Sequence, residues 1–258
     1  MIVQESLVSP SPSEADERLA GVRRIAIVPA FNEEASVAEV IRELRAFDPE
    51  FEVVLIDDGS TDRTARAARD AGAQVVRLPY NLGIGGAMQT GYQYARDHGF
   101  EVAVQIDSDG QHDASELASL FEPLARGEAD MVIGTRFAGV GDYKATTGRR
   151  MGMVIFSAVA RMLVHMRLTD PTSGFRAVNR LGIELFAVEY PHDFPEVESN
   201  VLAARHGLRI VEVPVKMRER AAGRSSVTTI RGTYFVIRIL LSLFVSVFRR
   251  YPKTVEER

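Results

Sequence analysis

The chain has 258 residues, 46% of them hydrophobic and 26% charged, with a net charge of −4 and no cysteine. This length and composition fit one large globular domain with a sizeable core. The absence of cysteine excludes a disulfide framework, a cysteine nucleophile and a cysteine-ligated metal, and it weakly favours a reducing compartment.

Residues 1–21 contain Ser, Pro and Glu without the basic and apolar regions of a secretory signal, so we expect a disordered leader. Short β-branched apolar runs then alternate with segments of helical spacing. The predicted strands are 23–30, 51–57, 74–79, 101–107 and 130–135. The predicted helices are one capped by Asn32 and those over 63–71, 84–98 and 115–126. Nearly all-apolar strands that alternate with helices predict an α/β fold whose parallel sheet is buried on both faces.

The alternation ends after residue 136, where a loop over 137–148 begins. Beyond it we expect an apolar helix over 149–167, a helix over 195–206, a strand over 209–215 and a long terminal helix from about Thr229. The first half is typical of a nucleotide-binding half-sheet, and the second half should bind an acceptor. The predicted organisation is one domain over 22–226, followed by a C-terminal amphipathic helix and tail over 227–258.

Polar residues follow three of the predicted strands at the point where each strand ends. They are Pro29 to Glu33, Asp57 to Ser60, and Asp107 to Asp109. Ligands of open α/β sheets bind at the carboxyl ends of the strands, so three such clusters favour a binding site there. Structural interpretations also exist, since the first cluster can be a helix cap only and the second a turn only.

The pair Asp107 and Asp109 is the sharpest of these features. Two carboxylates at alternate positions after a buried strand repel each other unless a cation lies between them. Mg²⁺ and Mn²⁺ prefer a few protein carboxylates together with phosphate oxygens from a substrate. The pair belongs to a longer run, Asp-Ser-Asp-Gly-Gln-His over 107–112, which is far more specific than a bare D-x-D.

Five short motifs occur together in this chain. They are Pro-Ala-Phe-Asn-Glu-Glu (29–34), Asp-Asp-Gly-Ser-Thr-Asp (57–62), Asn-Leu-Gly (81–83), Asp-Ser-Asp-Gly-Gln (107–111) and Gly-Thr-Arg (134–136). The set resembles the family 2 glycosyltransferases with the GT-A fold, and within them it is similar to the dolichol-phosphate mannose synthase group. The resemblance implies a Rossmann-like, mostly parallel central sheet flanked by helices. It also implies an inverting hexosyltransferase that uses a UDP-, GDP- or TDP-sugar.

The same resemblance implies roles for single residues. The expected donor-binding residues are Pro29, Ala30, Asn32, Glu33, Asp58, Asp107 and Ser108. Asp107 and Asp109, with Gln111, are implied to hold Mg²⁺ or Mn²⁺ on the donor diphosphate, which makes Asp109 a predicted catalytic residue.

The glycine-rich segment over 81–91 follows the third predicted strand. Its spacing is not G-x-G-x-x-G, so a Rossmann dinucleotide site is not expected. Its glycines allow either a close approach of the backbone to the donor or packing of the helix on the sheet. The sequence leaves both interpretations open.

The chemistry of the acceptor separates two further interpretations. A hydroxyl acceptor needs a carboxylate base, and Asp193, Glu196 and Glu198 are candidates at the start of the helix over 195–206. A lipid phosphate is already an anion, so it needs only cations that position it. The Glu-Asp base pair of the general family is not present as such, which favours phosphate.

Basic residues in the second half of the chain are numerous enough to bind such a phosphate. Residues 216–250 contain eight basic side chains and one acidic side chain, which predicts an anionic partner. The expected phosphate-binding residues are Arg136, Arg149, Arg150, Arg218 and Arg220, of which Arg136 and Arg218 are also expected in catalysis. Arg176 adds a further cation. Nothing in the sequence resembles a nucleic-acid-binding module.

The apolar segment over 235–248 predicts contact with a membrane surface without a span. Fourteen residues at 1.5 Å each reach roughly 21 Å, which is short of the ~30 Å hydrocarbon core. We therefore expect a peripheral protein on the cytoplasmic face of the membrane. Packing on the sheet, dimer formation and docking on a separate small membrane protein are the alternatives.

The sequence thus predicts sugar transfer from a nucleotide-diphosphate sugar to a polyprenyl phosphate, with inversion of configuration. The alternative enzyme transfers the sugar to a glycan or small-molecule hydroxyl, with Glu196 or Asp193 as the base. A nucleotide-sensing or scaffold protein on the same fold is the non-enzyme alternative, which the intact D-x-D disfavours.

Overall fold

A computed structural model describes residues 21–135, 168–170 and 172–218 of the chain. Several predictions lie outside these residues: the leader before residue 21, the loop over 137–148, the helix over 149–167, residues 227–258, and Arg136, Arg149, Arg150 and Arg220. Within the described part of the chain, no helix is both long enough and apolar enough to cross a membrane.

The described strands form a single central sheet of seven strands. They are β1 (Arg24–Ala30), β2 (Glu52–Asp57), β3 (Gln74–Arg77), β4 (Val102–Gln105), β5 (Met131–Thr135), β6 (Arg176–Asn179) and β7 (Ile210–Pro214). Their order across the sheet is β3-β2-β1-β4-β6-β5-β7. All neighbouring pairs are parallel except those of β6, which is antiparallel to β4 and to β5. The prediction of a mostly parallel α/β sheet is therefore confirmed.

Helices cover both faces of this sheet. They are α1 (Val37–Phe47), α2 (Thr64–Asp70), α3 (Gly83–Asp97), α4 (Leu117–Ala125), α5 (Arg180–Val188) and α6 (Pro195–Arg205), with a 3₁₀ turn at Ala114–Glu116 before α4. The helices that the sequence predicted over 63–71, 84–98 and 195–206 agree with α2, α3 and α6 to within one residue at each end.

The helix after β1 begins later than predicted. Asn32 has a φ of 56°, in the left-handed region, and α1 starts at Val37 after Ser36. The prediction that Asn32 caps this helix is therefore wrong, because its backbone turns the chain toward the neighbouring loop instead. The predicted apolar face of this helix is confirmed, since Val37 and Ile41 are fully buried.

Strand β6 and helix α5 were not predicted from the sequence. A four-residue strand that begins with Arg176 lacks the apolar run that marks the other strands. The start of α5 carried a usable signal, because the Asn179 side chain accepts hydrogen bonds from the backbone N–H groups of Leu181 and Gly182 as a helix cap.

Two apolar layers enclose the sheet. On one face Val28 and Leu55 pack with Ile41 of α1, and on the other face Ile27 packs with Met88 of α3. The predicted burial on both faces holds for the inner strands. It is wrong for the edge strand β3, whose residues are exposed or half-buried, and β7 at the opposite edge is mostly half-buried as well.

Candidate functional site

The loops after β1 and β2 are joined by hydrogen bonds between backbone and side chains. The Asn32 N–H donates to Ser60 Oγ at 2.9 Å, and Asn32 Oδ1 accepts from the Thr61 N–H at 2.9 Å. The Glu33 N–H donates to Thr64 Oγ1 at 2.8 Å. Because β1 and β2 are parallel neighbours, their carboxyl ends bring the two predicted clusters together. The left-handed turn at Asn32 is what makes this junction possible.

Asp58 holds the start of α3. Its carboxylate is buried, Oδ1 accepts from the Leu82 N–H at 2.7 Å, and Oδ2 accepts from the Gly83 N–H at 2.9 Å. A carboxylate at a helix N-terminus is stabilised by the N–H groups that have no partner within the helix. Gly59 must remain glycine, since its φ is 73° and an added Cβ would lie 2.8 Å from the carbonyl carbon of Tyr80. The predicted donor residue Asp58 therefore sits at the junction of the β2 loop and α3.

The D-x-D follows β4 at the same edge of the sheet. Asp107 has a half-exposed side chain, with Oδ1 3.4 Å from Gln105 Nε2 and Oδ2 3.6 Å from His112 Nε2. Asp109 is buried, and its Oδ1 accepts from the Gln111 N–H at 3.0 Å across a turn with Gly110 at a φ of 77°. Because β1 pairs with both β2 and β4, this loop and the two joined loops share one edge.

The His112 side chain contacts Asp107 and orients it. It is buried, and its Nδ1 accepts from the Asp107 N–H at 3.1 Å, so the neutral ring carries its proton on Nε2, which faces Asp107 Oδ2. The ring stacks on Phe175 at 4.6 Å between centroids. His112, the last residue of the motif run over 107–112, therefore supports the loop that carries the D-x-D.

Gly174 and Gln105 complete the surroundings of Asp107, and sequence reasoning missed both. An added Cβ at Gly174 would lie 3.1 Å from Asp107 Oδ2 and 3.1 Å from Gln105 Nε2, so the backbone passes close beneath the carboxylate. This contact depends on the antiparallel pairing of β4 with β6. A glycine between Ser173 and Phe175 was visible in the sequence, but its partner was not.

Arg176 is buried within the fold rather than exposed to an acceptor. Its guanidinium donates to the Ser173 carbonyl oxygen, to Ser199 Oγ, and at 3.0 Å to the Glu196 carbonyl oxygen. The suggestion that Arg176 is an available phosphate-binding cation is therefore wrong. Its side chain instead fixes the start of α6 near β6.

Glu196 is the predicted base residue whose charge interacts with the D-x-D. Burial raises the pKa of the Glu196 carboxyl, the Arg176 guanidinium offsets part of this rise, and the Asp107 carboxylate adds to it. Asp193 is exposed and Glu198 is half-buried. Among the candidate bases, Glu196 therefore has a carboxyl that interacts with Asp107 of the D-x-D.

Arg218 reaches the site through its backbone. Its N–H donates to the Gln111 carbonyl oxygen at 2.9 Å. Its guanidinium pairs with Glu43 through Nη1, at 2.8 Å from both carboxylate oxygens, and Nη2 lies 3.2 Å from Asp113 Oδ2. The structure therefore places this predicted phosphate ligand beside the D-x-D loop, with its charge already paired.

The residues present fit a divalent cation that completes its shell from a substrate. Within residues 21–135, 168–170 and 172–218, no three His, Cys, Asp or Glu side chains gather as a metal site. Asp107, Asp109 and Gln111 instead offer oxygen ligands from one short loop, and the half-exposed Asp107 carboxylate lies 3.4 Å from Gln105 Nε2 and 3.6 Å from His112 Nε2. Mg²⁺ and Mn²⁺ bind in this way through one or two carboxylates plus phosphate oxygens.

The glycines of α3 mainly serve packing. An added Cβ at Gly85 would overlap the Pro191 carbonyl oxygen, and one at Gly91 would overlap the Ile27 side chain of β1. Of the two interpretations that the sequence left open, packing of the helix on the sheet is confirmed at Gly91, whereas Gly85 packs against the segment at Pro191. Gly83 differs, because its N–H binds Asp58 at a φ of 79°.

Comparison with known proteins adds family and fold. The family model described as Glycosyl transferase family 2 matches residues 25–183. The undecaprenyl-phosphate mannosyltransferase of Micrococcus luteus is 34% identical over 216 residues, covering 80% of this chain and 88% of that protein. The polyprenol monophosphomannose synthase of Mycolicibacterium smegmatis is 27% identical, covering 80% of this chain and 81% of that protein.

Solved structures agree with this assignment. Glucosyl-3-phosphoglycerate synthase from Mycobacterium tuberculosis, in complex with phosphoglyceric acid, aligns with a TM-score of 0.72 at 22% identity, covering 95% of this chain and 87% of that one. Its complex with Mn²⁺, UDP-glucose and phosphoglyceric acid aligns with a TM-score of 0.70 at 21% identity, over 95% and 87% of the two chains. The GT-A fold implied by the motifs is thereby confirmed. With a family model matched over more than half of its length and a relative 34% identical across 80% of it, the chain belongs to the family 2 glycosyltransferases.

Proposed function

We propose that this protein transfers a hexose from a nucleotide-diphosphate sugar to a polyprenyl phosphate, with inversion at the anomeric carbon. The observation that carries the proposal is the meeting of three polar clusters at one sheet edge, where β1 pairs with both β2 and β4. Support for the acceptor comes from the relatives, which are named as an undecaprenyl-phosphate mannosyltransferase and a polyprenol monophosphomannose synthase.

The donor lies in this proposal on the loops after β1, β2 and β4. The residues that line it are Pro29, Ala30, Asn32, Glu33, Asp58, Asp107 and Ser108. The hydrogen bonds that join the first two loops fix their backbone before any ligand arrives, which lowers the ordering cost of binding.

Asp107, Asp109 and Gln111 would hold Mg²⁺ or Mn²⁺ at the donor diphosphate. When bound, such an ion neutralises charge that develops on the leaving nucleoside diphosphate. The Asp107 carboxylate is oriented for this role by His112 behind it. The Asp109 carboxylate is fixed by the Gln111 N–H, which keeps the two acidic groups on one turn.

The acceptor phosphate is proposed to meet cations and no base. A phosphate oxygen is already ionised, so no side chain has to remove a proton when it attacks. Arg136, Arg149, Arg150, Arg218 and Arg220 are the proposed cations, and Arg136 and Arg218 are the two proposed to act in catalysis. Arg218 would have to exchange a carboxylate partner for phosphate to act in this way.

We place the protein as a peripheral enzyme on the cytoplasmic face of the membrane, where a lipid acceptor is reached from the interface. The basic residues over 216–250 support contact with anionic headgroups. The comparisons give no support to the predicted small membrane partner protein, and it is not part of the proposal.

A second candidate function is transfer to a hydroxyl group. The feature that favours it is Glu196, whose pKa is raised by burial and whose carboxylate interacts with Asp107. A carboxylate with a raised pKa near the metal-binding loop is suited to remove a proton at neutral pH.

A transfer assay with matched acceptors tests the proposal. Donors are first ranked by the thermal shift that each nucleotide sugar gives with Mn²⁺, since binding stabilises the native state. The best donor, carrying a radiolabelled sugar, is then incubated with a polyprenyl phosphate or with the same polyprenol lacking phosphate. We expect label in the organic phase only with the phosphate and only with metal. Label that enters polyprenol or a soluble hydroxyl acceptor, but not polyprenyl phosphate, would contradict it.

A further inference from the structure

The Arg218 side chain connects three parts of the fold. It lies just after β7, it meets Glu43 on α1, and it meets Asp113 at the end of the metal-binding loop. Both Glu43 oxygens lie 2.8 Å from Nη1, and Asp113 Oδ2 lies 3.2 Å from Nη2. One guanidinium shared between two carboxylates from distant segments has well-defined geometry, unlike a single exposed ion pair.

The backbone around Arg218 is coupled to the same loop. The Arg218 N–H donates to the Gln111 carbonyl oxygen, and Met217 forms an antiparallel bridge with His112. His112 in turn accepts from the Asp107 N–H. A continuous chain of contacts therefore runs from α1 through Arg218 to the carboxylate of the D-x-D.

The charges around Arg218 disfavour direct binding of a phosphate. Two carboxylates already neutralise the single guanidinium, and they would repel an anion that approached it. Hydrogen bonds to Glu43 raise the pKa of the Arg218 guanidinium. Burial would raise the pKa of Asp113, but hydrogen bonds from Ser115 and the Arg218 charge hold it below its usual value. Arg218 and Asp113 are therefore stabilised in their charged forms.

We propose that Glu43, Arg218 and Asp113 form an ion-pair clamp that positions the exit of β7 against the Gln111–Asp113 loop. Glu43 and Arg218 are then positioning residues, and this role replaces direct binding of the acceptor phosphate by Arg218 in the proposed function, which leaves the other proposed arginines to bind it. The clamp fixes the chain after β7 beside the D-x-D loop. This inference rests on the proposed transfer to an acceptor phosphate. It assigns a role to Glu43, which no motif marks.

Neutralising Glu43 separates the clamp from direct phosphate binding, because the two roles predict opposite results. If the clamp positions the chain after β7 for binding of the acceptor, Glu43→Gln raises the acceptor KM about three- to tenfold and leaves kcat nearly unchanged. This change in KM is of the size expected for a partly exposed ion-pair network. If Arg218 binds phosphate itself, the same change frees its guanidinium and leaves the acceptor KM unchanged or lower. Glu39→Gln, at an exposed acid one turn earlier on α1, is the matched control and should behave as wild type.

Reversing the charges of Arg218 and Glu43 provides the second arm of the test. Arg218→Glu alone should lose more activity than Glu43→Gln, since it places three carboxylates together. Adding Glu43→Arg should restore at least part of the acceptor affinity, with incomplete recovery because Asp113 then faces a like charge. A double variant no better than Arg218→Glu alone would overturn the clamp.

Hydrogen exchange provides a readout that does not depend on transfer. In Glu43→Gln, amides of the peptides that contain Gln111–Asp113 and Lys216–Arg218 should exchange faster than in Glu39→Gln. Unchanged exchange, or faster exchange with an unchanged acceptor KM, would overturn the inference. Failure of the proposed function is distinguishable, because wild-type protein would then transfer no sugar to polyprenyl phosphate whatever the exchange shows.

Discussion

The donor side and the acceptor side of the site are built differently. On the donor side, the loops after β1 and β2 are cross-linked by hydrogen bonds to backbone groups, and Asp58 is buried against the start of α3. On the acceptor side, the Arg218 side chain at the end of the described chain is held by two carboxylates, and all three groups are partly exposed. Several hydrogen bonds to backbone groups around a buried carboxylate resist local opening, whereas exposed ion pairs contribute little each.

This difference indicates that the two sides of the sheet edge serve different steps, namely binding of the nucleotide and exchange of the lipid. A nucleotide with fixed shape is bound best by loops that are ordered beforehand. A long lipid must enter and leave, and weaker contacts at the segment that receives its phosphate lower the barrier to both. Substitutions on the donor side should therefore cause larger losses than substitutions on the acceptor side.

The largest expected effect follows from Asp109→Ala. The variant leaves one carboxylate of the D-x-D, so the proposed metal loses a ligand and the leaving diphosphate loses charge stabilisation of several kcal/mol, or roughly a thousandfold in kcat. Steady-state transfer kinetics across a Mn²⁺ titration measure this loss. Asp109→Asn keeps the shape of the side chain and controls for folding. Metal-dependent activity close to that of wild type would remove Asp109 from the metal site.

A smaller loss is expected from Asp58→Asn. The amide has one acceptor oxygen instead of two, so either the Leu82 or the Gly83 N–H loses its bond to residue 58 and α3 starts less firmly. The loss is smaller at Gly83, whose N–H also donates to Asn81 Oδ1 at 3.0 Å. We expect donor affinity to fall about five- to thirtyfold, from the usual cost of an unsatisfied donor of about 1–2 kcal/mol. Calorimetry with the nucleoside diphosphate and Mn²⁺ measures the change in donor affinity. Asp70→Asn, at an exposed residue at the end of α2, is the control. Equal affinities for both variants would mean that Asp58 serves only the turn.

The smallest effect on turnover is expected at Glu196. If the acceptor is a phosphate, Glu196→Gln should keep kcat within about tenfold of wild type, whereas loss of a general base typically costs 10²–10⁴-fold. Glu198→Gln, at a second candidate base on the same helix, should likewise keep kcat close to that of wild type. A collapse of kcat in Glu196→Gln alone would favour the hydroxyl acceptor.

Glu196→Gln should also change the pH dependence of the thermal stability. Because burial raises the pKa of Glu196, the native state binds this proton more tightly than the unfolded state does, and ionisation costs stability as the pH rises. Glu196→Gln should therefore raise Tm at neutral pH, with the gain disappearing below the ordinary glutamate value of 4.5. A Tm difference that is constant over this range would mean that Glu196 titrates normally.

Most of the fold was predictable because its signals are local. Apolar runs located the inner strands, and their alternation with helices gave the mostly parallel sheet. The strand that begins at Arg176 was missed because its burial depends on acceptors from α6, which are far away in the sequence.

The site was predictable as a list of motifs and not as a set of contacts. The strand-end position of Asp58 and Asp107 indicated where a ligand binds. The left-handed turn at Asn32, the passage of Gly174 beneath Asp107, and the pairing of Glu43 with Arg218 all depend on segments that meet only in the folded chain. No local propensity carries such information.

The central claim is that the nucleophile is a phosphate oxygen of a polyprenyl phosphate. Phosphorus NMR of the acceptor, followed during turnover with donor and Mn²⁺, tests this claim most directly. The account predicts that the monoester signal is replaced by a diester signal in equal amount to the nucleoside diphosphate released. A monoester signal that stays unchanged while nucleoside diphosphate accumulates and the sugar appears on a hydroxyl group would contradict it.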